Sequence, residues 1–535
     1  MRSPSNYSFA VAPSVQMPRS AFRTDRTYKT AFDSGYLVPC FFDEVYPGDT
    51  FNVDMTAFGR LSTPVVPFMD NLHMDFQFFY VPYRLLWDHW VNMNGEQDNP
   101  DDSTDYLTPV ISPTNFGVGS LGDYFGMPVG KAGCSPTVWL FRAYNKIWND
   151  HYRDENLQDS VSELKDDGPD NIVNYTLLKR GKRKDYFTSC LPWPQKGPGA
   201  SVNLSGNASV LADGAMAFST TGSGTRVATL YGTTNNNVFN FGGWGATAVD
   251  PVGNSIPSAP SNLTTSNGKA MQYASGLTVD LSSASAITIN TLRQAVQIQR
   301  LWEKDARGGT RYGEMVYQHF GVRNPDSRLQ RSEYLGGGSI PIQIHSVAQT
   351  SATDSVTPQG NLAAYGVTGG KVGFSKSFVE HGVVIGLVSV RADLNYQQGL
   401  DRAWSRRSRF DYYWPSLAHL GEQAVLNKEI YFSGISATDD AVFGYQERFA
   451  ELRYGHSHIT GKLRSGVAGS LDVWHLAQNF STTPALNADF IQESPPLSRV
   501  LAVQDEPQII FDSIATVSCV RCMPLYSVPG LMDHF

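Results

Sequence analysis

The sequence predicts a mainly β protein built around one large core, and three observations support this. Side chains alternate between apolar and polar over 51–58 and again over 72–80. A period of two indicates strands with one buried face. The composition is rich in aromatic residues, at 12%, and in Gly and Pro, while only 17% of residues are charged. Such a composition favours strands, long loops and buried contacts between subunits. With 535 residues, the chain is long enough to bury a large core.

The two alternating strands are separated by a crossover that contains Pro64 and Pro67. Two prolines withhold the backbone N–H groups that a central strand donates, so this stretch is predicted to lie outside the sheet. Pro82 ends the second strand. Leu85, Leu86, Trp87 and Trp90 follow it at the spacing of a short amphipathic helix.

Three further elements are predicted from spacing. Residues 136–156 carry aromatic and apolar side chains at three- and four-residue steps, which indicates a helix with one buried face. The same spacing predicts a helix over 290–306, ended by Gly308. Residues 382–394 are apolar on both faces, which is typical of a strand covered from both sides.

Charge and cysteine content exclude several classes of protein. The net charge of −8 creates no overall attraction for nucleic acid, so any contact with DNA must come from a local patch. The sequence contains no apolar run of about 18 residues, so we expect no membrane span. The first residues lack a signal-peptide core, which predicts maturation in a cytoplasm. Five scattered cysteines argue against a disulfide framework, and Cys519 and Cys522 are best interpreted as two reduced thiols.

Two basic segments with interleaved aromatic residues are candidates for contact with phosphates. An alternative remains open for each: a solvated turn for the first, and packing against carboxylates of neighbouring subunits for the second. The candidate residues of the second segment, ranked first, are Arg402, Arg406, Arg407 and Arg409. Those of the first segment, ranked second, are Arg180, Lys182, Arg183 and Lys184.

A third group of residues is predicted to form subunit contacts. Arginines near acidic residues in 323–333 indicate ion pairs rather than a catalytic set, and two tryptophans near 90 could add apolar area. The candidates are Arg323, Arg328, Arg331, Glu333, Trp87 and Trp90. We find no phosphate loop, no nucleophile elbow and no zinc-binding helix motif. We therefore expect no enzymatic activity, no cofactor and no metal.

Residues 199–290 differ sharply from the rest in composition. Ser, Thr, Gly, Asn and Ala dominate, and charged residues are rare. Such a stretch is either a disordered linker or an exposed β-rich lobe. Scattered Val, Leu, Phe and Tyr favour a lobe that orders by packing against its own copies.

Several long sequence blocks resemble the major capsid protein of microviruses of the gokushovirus type. These blocks include DEVYPGDT, FFYVPYRLLWDHW, DYFTSCLPWPQKGP, ARGGTRY and RLQRSEYLGGG. The resemblance covers nearly the whole chain outside 199–290. It implies an eight-stranded antiparallel jelly roll, the viral capsid β-barrel, with long loop and helical insertions. The domain organisation would then be 1–198 for the N-terminal arm and first part of the jelly roll, 199–290 for a surface insertion, and 291–535 for the remainder.

The resemblance also implies a function. Copies of the chain would assemble into the T=1 icosahedral shell of a small single-stranded DNA phage, with 199–290 projecting at the threefold axes and contributing to host attachment. The implied partners are the chain itself, the DNA genome, a small basic DNA-packaging protein, an internal scaffolding protein, a pilot protein and a bacterial surface receptor. The protein would reside in the virion after assembly in the host bacterial cytoplasm. The alternative from a different class is a secreted carbohydrate-binding jelly roll, with 199–290 as its sugar-binding face.

Overall fold

The computed structural model describes residues 19–199, 209–212, 218–219, 272–273, 277–280, 289–308, 311–321, 330–355 and 358–526. The strands are β1 Ser20–Phe32, β2 Val38–Val45, β3 Thr50–Leu61, β4 Leu72–Pro82, β5 Ser209–Ala212, β6 Phe218–Ser219, β7 Gln272–Tyr273, β8 Leu277–Asp280, β9 Glu333–Ala348, β10 Leu362–Ser377, β11 Gly382–Ala392, β12 Glu422–Leu426, β13 Val442–Glu447 and β14 Ile509–Arg521. The helices are α1 Trp90–Met93, α2 Leu121–Tyr124, α3 Trp139–Ile147, α4 Ile289–Arg307, α5 Tyr312–Phe320, α6 Asn427–Ile430, α7 Ser436–Asp439 and α8 Ala488–Ile491.

Eight strands form one antiparallel sheet in the order β1-β14-β3-β10-β9-β4-β11-β2. The first four and the last four make two halves that are joined where β10 pairs with β9 over Leu362–Val367. At the two outer strands, Arg26 of β1 donates from Nη2 to Asp43 Oδ2 of β2 at 2.8 Å. The sheet is therefore a nearly closed barrel with the strand order of a jelly roll, which confirms the predicted fold class.

The core between the two halves follows the predicted alternation. In β3 every second residue is buried, and in β4 the same alternation runs as far as Phe78. Phe76 and Phe78 meet Phe511 and Phe374 from the other half, with ring centroids 5.9 Å and 5.1 Å apart. Each buried aromatic ring removes a large apolar area from water, so these contacts stabilise the barrel.

Strand β9 carries the Gly336-Gly337-Gly338 run, and its closeness to β4 explains why. A Cβ at Gly337 would lie 2.0 Å from the backbone oxygen of Phe76. No side chain fits at that distance, so the glycines permit β9 to approach β4.

A second core lies on the outer face of β2, β4 and β11, under α3. The predicted helix over 136–156 is found as α3, extended by a π-helical turn over Trp148–Tyr152. Arg142 of α3 is buried and donates from Nε to Asp170 Oδ2 at 2.8 Å. Strand β11 is buried along its whole length, as predicted for a strand covered from both sides.

The short helix predicted near 85–90 is replaced by a 3₁₀ turn over Tyr83–Leu85 and by α1, which starts later, at Trp90. Trp87 lies between them, completely buried, and its Nε1 donates to Asp167 Oδ1 at 2.7 Å. The backbone turns here to carry Trp87 into the second core, which a continuous helix would not do.

The chain separates into two compact units, one of residues 1–196 and 302–535 and one of residues 197–301. Within the second unit, β5 pairs with β8 and β6 with β7, both antiparallel. Helix α4 coincides with the helix predicted over 290–306. None of the helices in the described part of the chain is both long enough and apolar enough to cross a membrane. All five cysteines lie within the described ranges and are free thiols.

Candidate nucleic-acid interface

The first-ranked basic segment lies between β11 and β12 and consists of short 3₁₀ turns. Asp401 starts the first turn, its carboxylate accepting from the Ala403 N–H at 2.8 Å. In the next turn the Asp411 carboxylate accepts from the N–H groups of Arg407 and Ser408, at 3.0 and 2.7 Å. These backbone hydrogen bonds lower the pKa of Asp411 to about 2. The turns hold residues 402–414, which we call the arginine–aromatic segment, in a defined conformation.

Two arginines of the arginine–aromatic segment point inward, toward buried carboxylates. Arg402 Nη1 lies 2.9 Å from Glu429 Oε1 and also donates to the Ala424 carbonyl at 2.8 Å. Arg406 Nη2 lies 3.2 Å from Glu451 Oε1. Glu429 and Glu451 are buried, so the structure brings these two predicted DNA-contact arginines to partners within the chain.

The Glu429 carboxyl also accepts a hydrogen bond from the Tyr186 hydroxyl at 2.9 Å. Burial raises the pKa of Glu429, and the charge of Arg402 opposes that rise. The pair therefore anchors the arginine–aromatic segment to β12 and α6, with its charge largely compensated.

The other two arginines of the segment face solvent among exposed aromatic rings. Arg407 and Arg409 are both exposed, and the Arg409 guanidinium lies 4.7 Å from the centre of the Trp414 ring. Trp404 is 79% exposed and Phe410 is 66% exposed. Exposed guanidinium groups beside exposed rings can neutralise phosphates and stack on bases.

The second-ranked basic segment, 180–184, belongs mostly to the fold. Arg180 Nη1 donates to Asp75 Oδ2 at 2.7 Å and to Ser389 Oγ at 2.9 Å. Lys182 is buried with its ammonium 4.5 Å from the centre of the Phe490 ring, and burial lowers the pKa of this lysine. Lys184 pairs with Asp154, and Arg183 is exposed.

The predicted subunit-contact residues are found in several settings. Arg331 lies 3.4 Å from Glu314, and Glu333 pairs with Lys376 at 2.7 Å. Trp90 is half-buried against Tyr83 and Trp139, with ring centroids 4.8 Å and 5.5 Å apart. Trp87 has no exposed surface within the chain, so any influence on a neighbouring copy is indirect. Arg323 and Arg328 lie outside the described residues.

Sequence reasoning missed a set of exposed apolar side chains that follows the arginine–aromatic segment. Phe432 is 53% exposed, Ile435 is 61% exposed and Leu452 is 55% exposed, and Val442 adds further apolar surface. One signal was available, because Phe432 and Ile435 flank the dipeptide Ser433-Gly434, which is typical of a loop, where polar residues are the rule. Large apolar side chains left in water are candidates for burial in a contact between subunits.

Comparison with known proteins decides the family. The capsid protein (F protein) family matches residues 10–531. The chain belongs to this family. Capsid protein VP1 of Bdellovibrio phage phiMH2K is 45% identical, over 99% of this chain and 98% of its own length. Capsid protein VP1 of Chlamydia phage 1 is 43% identical over 98% and 97%, and that of Spiroplasma virus 4 is 36% identical over 98% and 97%. The recognition of a gokushovirus-type capsid protein is confirmed, and the family is one of structural proteins rather than enzymes.

Proposed function

We propose that this capsid protein assembles with copies of itself into a T=1 icosahedral shell that encloses a single-stranded DNA genome. The observation that carries the proposal is a set of large apolar side chains, Phe432, Ile435, Val442 and Leu452, which are 47–61% exposed on the lone chain and which contact with another copy would remove from water. The mechanism is association rather than turnover. Closed symmetry repeats each contact around the shell, so weak contacts become collectively strong.

The jelly roll supports this proposal because it satisfies its own core. Both halves of the sheet bury their inner faces within one chain, and Arg26 ties the two outer strands together. Because the core of the barrel is complete within one chain, the long loops lie on its outside and can contact other molecules. Exposed loops on a rigid scaffold are where recognition usually resides.

For the genome, we propose that Arg407 and Arg409 of the arginine–aromatic segment neutralise phosphates while Trp404 and Phe410 stack on bases. The contact would be insensitive to sequence, because phosphates and ring faces are common to all nucleotides. Arg402 and Arg406 would hold this surface in place, since both are paired with buried glutamates. In the 180–184 segment, Arg180 and Lys184 are paired within the chain, Lys182 is buried, and Arg183 is exposed.

Host attachment by residues 199–290 stays a prediction that rests on the family resemblance, as does their place at the threefold axes. The same holds for the DNA-packaging, scaffolding and pilot proteins, for the bacterial receptor, and for assembly in the host cytoplasm. Deleting 205–285 and following adsorption and assembly separately tests the attachment role. Adsorption that survives the deletion would remove it.

Assembly is tested by replacing the exposed apolar residues. We expect the natural chain to form megadalton particles in analytical ultracentrifugation and electron microscopy. Phe432→Glu with Ile435→Glu should leave folded chains that sediment as small species. Phe432→Leu with Ile435→Leu is the matched control and should still assemble, because it keeps the apolar area. Particle formation by the glutamate variant would overturn the role of this surface.

A further inference from the structure

A pocket of about 150 Å³ is formed by the arginine–aromatic segment together with β12, α6 and the turn that follows β13. Ser405 and Arg406 contribute to it from the segment, Gln423 from β12, and Arg448 from the residues directly after β13. At about 30 Å³ for each water molecule, this space accommodates a group of a few heavy atoms and is too small for a nucleoside.

Three carboxylates line the pocket, and donors within the chain already bind each of them. Glu429 and Asp411 are held by the contacts described above. Glu451 Oε1 lies 3.2 Å from Arg406 Nη2, and Glu451 Oε2 accepts from Gln423 Nε2 at 2.7 Å. A cation entering the pocket would therefore compete with these donors for every carboxylate.

The donors of the pocket, in contrast, are in excess. Ser405 Oγ, Arg406 Nε and Arg448 Nε are buried and have no hydrogen-bond partner among the residues that the structure describes. Arg448 donates from Nη2 to the Phe410 carbonyl at 2.7 Å, but within the described ranges it forms no ion pair. The lining carries four basic and three acidic side chains. Buried donors without an acceptor are rare, so these three indicate a ligand that accepts hydrogen bonds and carries negative charge.

The backbone beside Arg448 is strained, which is a second observation at the same place. Phe449 lines the pocket, is buried and has a φ of 61°, and no other non-glycine residue in the described part of the chain has a positive φ. Its N–H donates to Gln423 Oδ-type amide oxygen Oε1 at 3.2 Å, and its ring centre lies 4.7 Å from the Arg448 guanidinium. Backbone strain of this kind is concentrated at binding and active sites.

We propose that this pocket binds one tetrahedral oxyanion, either inorganic phosphate or the terminal phosphate of a mononucleotide, with Ser405 Oγ, Arg406 Nε and Arg448 Nε as donors. Guanidinium and hydroxyl groups are strong donors to phosphate oxygens. A terminal phosphate has one ester link, so its nucleoside can remain outside. A phosphate within a DNA strand carries a nucleoside on each side, which this space does not accommodate. The site is therefore additional to the exposed Arg407 and Arg409 and does not depend on the proposed DNA contact.

Binding of inorganic phosphate to the purified full-length chain tests the site, measured by equilibrium dialysis with radiolabelled phosphate. We expect one phosphate per chain, with saturation below about 10 mM. Sulfate should compete, because it is also a tetrahedral dianion, and thymidine should not. Competition by thymidine 5′-monophosphate would extend the site to mononucleotides, and its failure to compete would assign the site to the free oxyanion. Absence of saturable binding, or competition by thymidine, would overturn the inference.

Variants locate the bound phosphate. Arg448→Gln should weaken phosphate binding about tenfold, because it removes a charged donor. Arg453→Gln is the matched control and should bind like the natural chain, since Arg453 pairs with Glu447 and does not line the pocket. Ser405→Asp places a carboxylate among the donors and should abolish binding, which provides a test if Arg448→Gln does not fold. Unchanged affinity in a folded Arg448→Gln or Ser405→Asp chain would contradict the site.

A last comparison separates this pocket from the proposed DNA surface. Arg407→Gln with Arg409→Gln should bind phosphate nearly as the natural chain does, because exposed charges are screened by salt. A saturating oligothymidylate without terminal phosphates should likewise leave the phosphate bound. A loss of phosphate binding in either experiment as large as that in Arg448→Gln would place the phosphate on the DNA surface and overturn a separate site.

Discussion

The two basic segments resemble each other in sequence and differ in the structure. Segment 180–184 is built into the fold: Arg180 holds Asp75, Lys182 is buried, and Lys184 pairs with Asp154. The arginine–aromatic segment is divided, because Arg402 and Arg406 face buried glutamates while Arg407 and Arg409 face solvent. A basic run therefore identifies a binding surface only after the carboxylates that meet it have been found.

The largest effect on stability should separate Arg180, which is paired within the chain, from the exposed Arg183 of segment 180–184. Arg180→Ala leaves the half-buried Asp75 with one guanidinium fewer, and we expect a loss of about 3 kcal/mol in the free energy of unfolding. This is the lower end of the range for a broken buried pair, since Arg391 still lies 2.7 Å from Asp75. Thermal unfolding of the purified chain measures it. Arg183→Ala is the control and should change the free energy of unfolding by no more than about 0.5 kcal/mol. Equal losses in the two variants would show that Arg180 is no more structural than Arg183.

The same division predicts a smaller stability effect in the arginine–aromatic segment. Arg402→Ala should cost about 2 kcal/mol, because it removes the charge partner of buried Glu429 while Tyr186 continues to donate to it. Arg407→Ala should change unfolding by no more than about 0.5 kcal/mol. Chemical denaturation of both variants checks this order, and a costlier Arg407→Ala would show that Arg407 is the structural residue.

For DNA binding, we expect the opposite order, with the exposed Arg407 contributing more to affinity than Arg402. Arg407→Gln with Arg409→Gln removes two exposed charges, so the slope of log affinity against log salt should become shallower by about 1.4 for single-stranded DNA. Fluorescence anisotropy with an oligothymidylate over a range of salt concentrations measures the slope. Arg183→Gln with Lys184→Gln should change it by at most about 0.7, since Lys184 already has a partner. Equal slopes for the two variants would refute the ranking.

The smallest effect concerns acid. The pKa of Asp411 is lowered in the folded chain to about 2 from an ordinary value of 3.8, so its carboxylate stabilises the 407–411 turn above about pH 4. That contribution is lost as the pH falls toward 2. Peptic cleavage within 404–414, normalised to an unfolded peptide, should therefore rise over this interval.

Asp411→Asn serves as the matched variant for this acid effect. The amide lacks the charge that the N–H groups of Arg407 and Ser408 favour, so cleavage at pH 4 should already be faster than in the natural chain. Cleavage of the variant should then depend less on pH between 4 and 2. Identical pH profiles would exclude Asp411 as the group responsible.

Much of the barrel was predictable because its signals are local. The alternation in 51–58 and 72–80 reports burial on one face of a strand, and the fully apolar 382–394 reports burial on both. The helix near 85–90 was misplaced because the same Leu and Trp spacing also suits a 3₁₀ turn followed by a late helix, and tertiary packing of Trp87 decided between them.

The sequence by itself determined the family, the jelly roll and the places where basic and aromatic residues gather. Only the tertiary structure decided which arginines and lysines pair with carboxylates inside the chain and which remain exposed for a ligand. The physical reason is that charge compensation is not local: Asp75 is 105 residues from Arg180, and Glu451 is 45 residues from Arg406. Folding brings these carboxylates to their arginines, and no periodic pattern along the chain predicts these ion pairs.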